Sequence, residues 1–356
     1  MFVAFYILIL IACVGVLNIK ASATGDSVGE FRILVVALLM SGLSLLIDQF
    51  GLYSYDRNIN SYHFSFYYTQ HLAHPLSVVT DGFQEPVWAM FNMLFRLITD
   101  DYGVVLFSIA FLYIFSSLTL LKALAGNVFR SSATVFMCSL GPLYALSQSS
   151  QFLALSLCNV AILCLATMTR KFLRVGLFAA FCLLAFLVHT SAIVVPALIA
   201  LSLLLVNSRL RASVFLMFGT FASAMAVYAL PFLASYIPIL QQTMDSSFSG
   251  QSQGLLIALK SIPFFVIAVD ALVSSRNGSA DGPGDFLPEW LFVACAGMSF
   301  VAAVGNYWFW RLAMYGLAPF ALLAACDGKT SKFTALQLLA IALQIVIALR
   351  EAAILY

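Results

Sequence analysis

Residues 102–121 read YGVVLFSIAFLYIFSSLTLL, bounded by Asp101 on one side and Lys122 on the other. An uncharged apolar run of about 20 residues is what a helix needs to cross a bilayer. Runs of the same kind recur over 2–18, 31–47, 133–150, 151–168, 175–189, 190–206, 212–230, 254–273, 289–305, 311–326 and 333–349. None shows the alternation of a membrane β-barrel, and in lipid the helix is then the one way to satisfy backbone polar groups. The expected fold is an all-α polytopic integral membrane protein with about 12 transmembrane helices, roughly 10 to 14 once soft boundaries are allowed for. Composition agrees: 63% of the 356 residues are hydrophobic and 9% charged, too few polar groups to coat a soluble core. The runs leave no stretch for a soluble domain, so 1–356 is expected to form a single membrane domain. Met1–Leu17 precedes Ala21-Ser22-Ala23, which superficially matches a signal-peptidase site. It lacks a basic start, however, and is expected to remain as a first span.

Lysines and arginines fall between the runs in short clusters, at Lys122–Arg130, Arg170-Lys171-Arg174, Arg209–Arg211 and Lys329–Lys332. A net charge of +2 spread this way forms no basic groove for nucleic acid. It reports topology instead, because short basic loops stay on the cytoplasmic side. The four clusters agree in parity. Opposite them lie a large outer loop over 48–101, a second outer loop over 231–253 and both termini. Arg276, Asp281 and Asp285 flank the Gly-rich Asn277–Gly284, read as a solvated cytoplasmic turn. Cys13, Cys138, Cys158, Cys164, Cys182, Cys295 and Cys326 stand in or at the edge of apolar runs without CxxC spacing, as small buried hydrophobes do.

Polar residues collect at the outer ends. Glu85–Thr99 is too short for a span, and Glu85, Trp88, Asn92 and Arg96 recur at helical spacing behind Pro86, which suits a first helical position. This is expected to be a re-entrant or interfacial helix near 85–99, its polar stripe turned from lipid and Val87, Met90, Phe91, Met93, Leu94 and Phe95 on the other face. A plain amphipathic helix with snorkelling Arg96 fits equally. Tyr307-Trp308-Phe309-Trp310-Arg311 enters a late run, with Tyr307, Arg311 and Tyr315 on one helical face. A guanidinium framed by aromatics suits a phosphate-bearing sugar substrate, and an aromatic belt is the bland alternative. His189-Thr190-Ser191 ends another run. Its histidine can relay a proton, bind phosphate or simply bond a neighbouring helix.

Gln148, Ser149, Ser150 and Gln151, after Gly141-Pro142, offer neutral donors and acceptors at an outer turn, as any polar loop does. The outer segment Ser54-Tyr55-Asp56-Arg57-Asn58 leads through Tyr62 and His63 to His71 and His74. Two histidines without a third ligand make no zinc site, so no metal is expected. Asp48 and Asp56 do not form the closely spaced acidic pair that holds a nucleotide-sugar's metal. The chain also lacks a phosphate loop, a GxSxG elbow or a zinc-helix motif, which excludes cytosolic nucleotide donors.

In this order and on one side, Tyr55-Asp56 with Tyr62, Glu85-Pro86, His189 with Ser191, and Arg311 with Tyr315 resemble the EpsG-like group of Wzy-type bacterial polysaccharide polymerases, over most of residues 30–325. One departure is Ser150-Gln151, where such proteins often carry Arg-Gln. That arginine's phosphate role is then missing here or moved to Arg311, Arg57 or Arg96. The resemblance implies a multi-pass protein of the bacterial inner membrane with its active site facing the periplasm. There it would join undecaprenyl-diphosphate-linked oligosaccharide units, growing an O-antigen or exopolysaccharide and releasing undecaprenyl diphosphate without cofactor or metal. A flippase, a chain-length regulator and an initiating sugar-phosphate transferase are the implied neighbours.

The reaction needs a base for the acceptor hydroxyl and cations for the departing diphosphate. Glu85 or Asp56 is the expected base, with His189 orienting the acceptor or helping the phosphate. Arg311 and Arg96 would clamp the diphosphate, with Arg57, Tyr315, Tyr62, Gln151, Trp308 and Trp310 completing the substrate site. A lipid-linked oligosaccharide flippase or transporter would spread polar groups through both membrane halves and often repeat internally. A membrane glycan acyltransferase would place its histidine towards a cytoplasmic acyl donor. Neither pattern is seen in the sequence.

Overall fold

The computed structural model describes residues 2–19, 27–50, 60–72, 74, 77, 85–139, 141–146, 148–205, 209–234, 236, 258–273, 287–304, 307–325 and 333–355. Those residues are helical almost throughout, with no strand among them. Several features read from the sequence lie outside them: Ser54–Asn58 with Asp56 and Arg57, the second outer loop from residue 237 onward, the turn carrying Arg276, Asp281 and Asp285, Cys326, and Lys329–Lys332. The chain divides into two compact units, Met1–Ile193 with Ala348–Tyr356, and Val194–Ile347.

The first unit is built on α1 (Phe2–Asn18), α2 (Ser27–Phe50), a π-helical turn His63–Tyr67 running into α3 (Tyr68–His71), α4 (Pro86–Arg96), α5 (Tyr102–Ala125), α6 (Phe129–Met137), α7 (Gly141–Tyr144), α8 (Ser149–Thr167) and α9 (Lys171–Val188). Among the described residues, four helical stretches are long and apolar enough to cross a membrane: Gly29–Leu46, Tyr102–Ala125, Ser149–Thr167 and Lys171–Val188. All belong to this unit, which marks a membrane protein. α5 and α8 are its packed centre, whereas α9 buries little beyond Ala185 and Val188 and leaves apolar Phe172 and Leu183 exposed. An apolar helix with an apolar exposed face lies against lipid.

Side-chain bonds fix how these helices run. Lys122 near the C-terminus of α5 reaches Glu30 near the N-terminus of α2 at 3.7 Å, so the two are antiparallel. Asn159 on α8 donates to Ser117 (2.9 Å) and Ser116 (3.3 Å) on α5, and Asn18 closing α1 donates to Thr134 on α6 (3.0 Å). Such interhelical bonds average only about 0.6 kcal/mol in a membrane but pin register where lipid supplies no hydrophobic drive between helices. The helix directions put Lys122, Arg170 and Lys171 at one end of the unit and Tyr102, Ser149 and His189 at the other.

The second unit is organised around α13 (Leu287–Ala303), with Trp290 and Phe292–Ser299 buried on every side, the signature of a core helix. Around it stand α10 (Val194–Leu205), α11 (Arg209–Ala234), α12 (Ile262–Val273), α14 (Tyr307–Ala313) and α15 (Leu317–Ala324), with α16 (Ala335–Leu355) continuing into the first unit's tail. Small residues let backbones approach: Gly297 faces Leu198, Gly316 faces Met298, and Gly219 lies under the Phe300 ring. Ser223, one turn on, donates to the Phe300 carbonyl (2.9 Å). This small-xxx-small pairing of α11 on α13 is how membrane helices gain contact area. Thr334 caps α16 in a reciprocal box with Gln337 and donates to buried Asp270 on α12 (2.8 Å).

Two expected spans are not continuous helices. The 133–150 run breaks at Cys138–Ser139 between α6 and α7, because Pro142 lacks the N–H that a continuing helix would bond. The 311–326 run is interrupted by a 3₁₀ turn at Met314–Gly316, which disturbs the four-residue spacing behind the face assigned to Tyr307, Arg311 and Tyr315. Of the 254–273 run, residues 254–257 are outside those described, and α12 covers Ile262–Val273.

A Cβ at position 219 would stand 1.9 Å from Phe300 Cε2. Gly219→Ala is therefore expected to destabilise the protein by about 1–3 kcal/mol, read as a lower unfolding temperature in detergent. Phe300→Leu in the same chain should recover part of the loss.

Candidate functional site

The end of the first unit opposite Lys122 gathers several candidates. Pro86 occupies the first position of α4 and Glu85 caps it with φ −129° and ψ 73°, a non-helical geometry that frees the carboxylate from the helix. His189 closes α9 in an extended conformation. Its N–H donates to the Ala185 carbonyl (2.9 Å), and its own carbonyl accepts from Ala192 (3.0 Å). With the backbone satisfied on both sides, the imidazole projects to Glu85, and His189 Nδ1 bonds Glu85 Oε1. The two side chains are 12% and 21% exposed, so the pair is shielded but reachable. With Glu85 as a carboxylate, which only accepts, Nδ1 is the donor, and a neutral imidazole bonded in this way has its lone pair on Nε2.

A chain of contacts leads away from this pair. The Tyr68 phenol is pushed above its ordinary value by burial first, and then by neighbouring Tyr102, Tyr67 and Glu85, so it keeps its proton and can donate. Tyr102 Oη shares a hydrogen bond with Ser149 Oγ at 3.0 Å, and Asn60 Nδ2 donates to the same Ser149 oxygen at 3.1 Å. Three elements distant in sequence are thereby locked together at the start of α8, where Gln148, Ser149 and Gln151 are all buried. The Phe64 ring packs on Tyr102 with centroids 5.5 Å apart, and the Arg96 guanidinium lies 5.5 Å from the Phe64 centroid.

Arg96 closes the far end of α4. Its Nε donates to Thr69 Oγ1 (2.9 Å), and its Nη1 bonds exposed Asp100 in the turn before α5. Asp101 in turn caps α5 by accepting from Gly103 N (2.7 Å). α4 buries Trp88, Ala89, Asn92 and Met93 against α9 and the 63–71 segment, and exposes Met90, Leu94, Leu97 and Ile98. The polar stripe does turn inward, but Met93, expected on the apolar outer face, belongs to the buried one.

The structure thus joins Glu85 and His189 directly, places Tyr68 within electrostatic reach of Glu85, and joins Arg96 to the start of α8 through Phe64 and Tyr102. Tyr62 stands apart, 61% exposed, its ring tilted against Phe66 with centroids 4.9 Å apart. His71 is tied to Ser77 at 2.7 Å, and its ring lies tilted against Tyr67 with centroids 4.4 Å apart. No group of three His, Cys, Asp or Glu side chains able to hold a metal occurs among the described residues. Arg311, Tyr315 and Trp310 belong to the second unit, where Tyr315 is buried. Trp310 is fully buried, with Lys260 lying over its ring at 4.8 Å, so neither of these two rings is an open platform. The Trp308 side chain, Asp56 and Arg57 are outside the described residues.

Sequence reasoning missed Tyr68, Tyr102, Asn60, Asp100 and Lys260. The four-residue step from Arg96 to Asp100 was a readable signal. The pairing of Asn60 and Tyr102 with Ser149 was not, since nothing local encodes it.

A family model described as the EpsG family matches residues 35–350, and the chain belongs to that family, a group of Wzy-like polymerases. No match was found among curated proteins or among solved structures.

If Glu85 and His189 are in contact, their replacements must couple. Glu85→Gln and His189→Gln, singly and together, are expected to show an interaction energy of about 0.5–3 kcal/mol in detergent unfolding. Additive losses would mean the two side chains do not meet.

Proposed function

We propose that this EpsG-family protein is a polysaccharide polymerase that lengthens a glycan at the outer, periplasmic face of the bacterial inner membrane, using undecaprenyl-diphosphate-linked oligosaccharide units. The observation carrying this reading is the Glu85–His189 pair within a cluster of hydroxyl, amide and guanidinium groups, at the end of the first unit opposite its basic loops. Basic loops mark the cytoplasmic side, which supports an outward-facing cluster. About twelve spans in one membrane domain fit the same parity.

In this mechanism a hydroxyl of the incoming unit gives its proton to His189 Nε2 while its oxygen bonds to the anomeric carbon of the growing chain. The bond from that carbon to the diphosphate oxygen breaks, and its electron pair leaves with undecaprenyl diphosphate. Glu85 is then a positioning residue that fixes the histidine tautomer and stabilises the imidazolium, a refinement of the carboxylate base expected from sequence. Asp56 retains its place as an alternative base. Arg96, with Arg57, holds the diphosphate through charge-assisted bonds, and Arg311 is the second unit's candidate for the same role. Gln151 and Tyr62 are further candidate substrate contacts on the first unit and Trp308 on the second, where Tyr315 and Trp310 are buried side chains. No metal or soluble cofactor is needed, because the diphosphate leaving group supplies the driving force. A flippase delivering the units and a chain-length regulator are the expected partners.

Purified protein given a synthetic undecaprenyl-diphosphate repeat unit should produce a ladder of lengthened products. His189→Ala and Glu85→Ala are expected to lower the rate by about 10²–10⁴-fold, and Arg311→Ala by about 10²–10³-fold. Each is assayed at a temperature where the variant stays folded, because loss of the Glu85–His189 bond also lowers the unfolding temperature of the first two. Suppose instead that a panel of repeat units gives no ladder while reconstituted protein moves a lipid-linked sugar between leaflets. The polymerase reading then fails and a conduit replaces it.

A further inference from the structure

Between Glu85 and Arg96 lies a polar atom that the scheme above does not use. Asn92 is 1% exposed and its Nδ2 donates to the Trp88 carbonyl at 2.9 Å, but its Oδ1 has no hydrogen-bond partner among the described residues. Buried amide oxygens are satisfied with few exceptions, and an exception calls for a reason such as strain, bound water or a ligand. A leucine would fill the same volume beside buried Trp88, Ala89 and Met93 without leaving an acceptor unmet. The Trp88 bond also settles the orientation of the amide: the nitrogen is committed, so only the oxygen is available.

Its position gives that oxygen a use. Asn92 shares the inward stripe of α4 with Glu85 and Arg96, about 10 Å along the helix axis from the first and about 6 Å from the second at 1.5 Å per residue. The same face packs on α9, which ends at His189, and on the segment carrying Tyr68 and Thr69. A saccharide with one hydroxyl at His189 and its diphosphate end towards the guanidinium would reach this oxygen by parting α4 from the elements that bury it.

We propose that Asn92 is a substrate-contact residue, its Oδ1 accepting a hydrogen bond from a hydroxyl or amide N–H of the glycan unit. The assignment rests on the polymerase reading. As a pure acceptor, Asn92 favours a sugar bearing a donor at that position over its deoxy or O-alkylated analogue, because a site built around a hydrogen bond rejects a ligand that leaves it unmade.

The test compares full-length parent, Asn92→Leu and Asn92→Asp by unfolding temperature without substrate, by the rise in that temperature with a synthetic undecaprenyl-diphosphate oligosaccharide, and by polymerisation kinetics. Asn92→Leu is expected to unfold at or above the parent temperature, and its apparent KM to rise about three- to tenfold, with the maximal rate within about twofold of the parent's. Asn92→Asp, which keeps an acceptor, should raise KM less. The proposal is overturned by an unchanged KM in Asn92→Leu, or by that variant losing stability or failing to fold, since either loss shows that the oxygen is satisfied inside the protein. If the parent makes no polymer the polymerase reading falls, and the ligand-induced rise decides Asn92 alone. A rise lost in Asn92→Leu upholds the contact; a rise retained there, or absent in the parent, refutes it.

Discussion

The contact between the Glu85 carboxylate and the His189 imidazole decides what one end of the first unit can be. α4 has only 11 residues, too few for a helix to persist on its own in water. It is held at its start by Glu85 against the end of α9, at its finish by Arg96 on Thr69 and Asp100, and between them by buried Trp88, Ala89 and Met93. A hydrogen bond to a charged group contributes about 1.5–3 kcal/mol net, against about 1 kcal/mol for a neutral one. The carboxylate–imidazole bond is therefore the strongest single polar tie between α4 and the spanning helices. Its partial exposure keeps the desolvation cost well below that of a fully buried pair.

The two units solve the membrane problem differently. The first is stitched by side-chain hydrogen bonds between helices, Asn159 with Ser116 and Ser117, Asn18 with Thr134, and Ser149 with Asn60 and Tyr102. The second relies on close approach at Gly219, Gly297 and Gly316 around one buried helix. Hydrogen bonds demand particular partners in particular directions, whereas small-residue packing demands only the absence of a side chain. The polar chemistry assigned to catalysis accordingly gathers where the scaffold already specifies directions.

Much of this was legible in the sequence because the membrane imposes long periods and few exceptions. The helical runs, the inward stripe from Glu85 to Arg96 and the place of Pro86 at the start of α4 follow from hydropathy and from three- and four-residue spacing, which are local properties. The breaks at Cys138–Ser139 and Met314–Gly316 were harder, since an apolar run reads the same whether or not its helix is continuous; only Pro142 gave a warning. Tertiary pairing was not legible. Glu85 and His189 are 104 residues apart, and Asn60 and Ser149 are 89 apart. Residue types name such groups as candidates without naming their partners.

Satisfaction separates structural polar groups from working ones in such a chain. Asp270 is buried in the second unit, but it receives Thr334, itself half of a helix cap, so its location is explained by the joint between α12 and α16. Tyr6 Oη and the Gln344 amide have no partner among the described residues, yet no ionisable side chain stands within four residues of either. Asn92 alone combines an unmet acceptor with a helix face bounded by Glu85 and Arg96. A buried acceptor left unmet costs about 1–3 kcal/mol, a large share of the 5–15 kcal/mol that holds a typical domain together. A site that carries such a deficit when empty gains most when a hydroxyl arrives, which is how binding energy becomes selective for the ligand that supplies it.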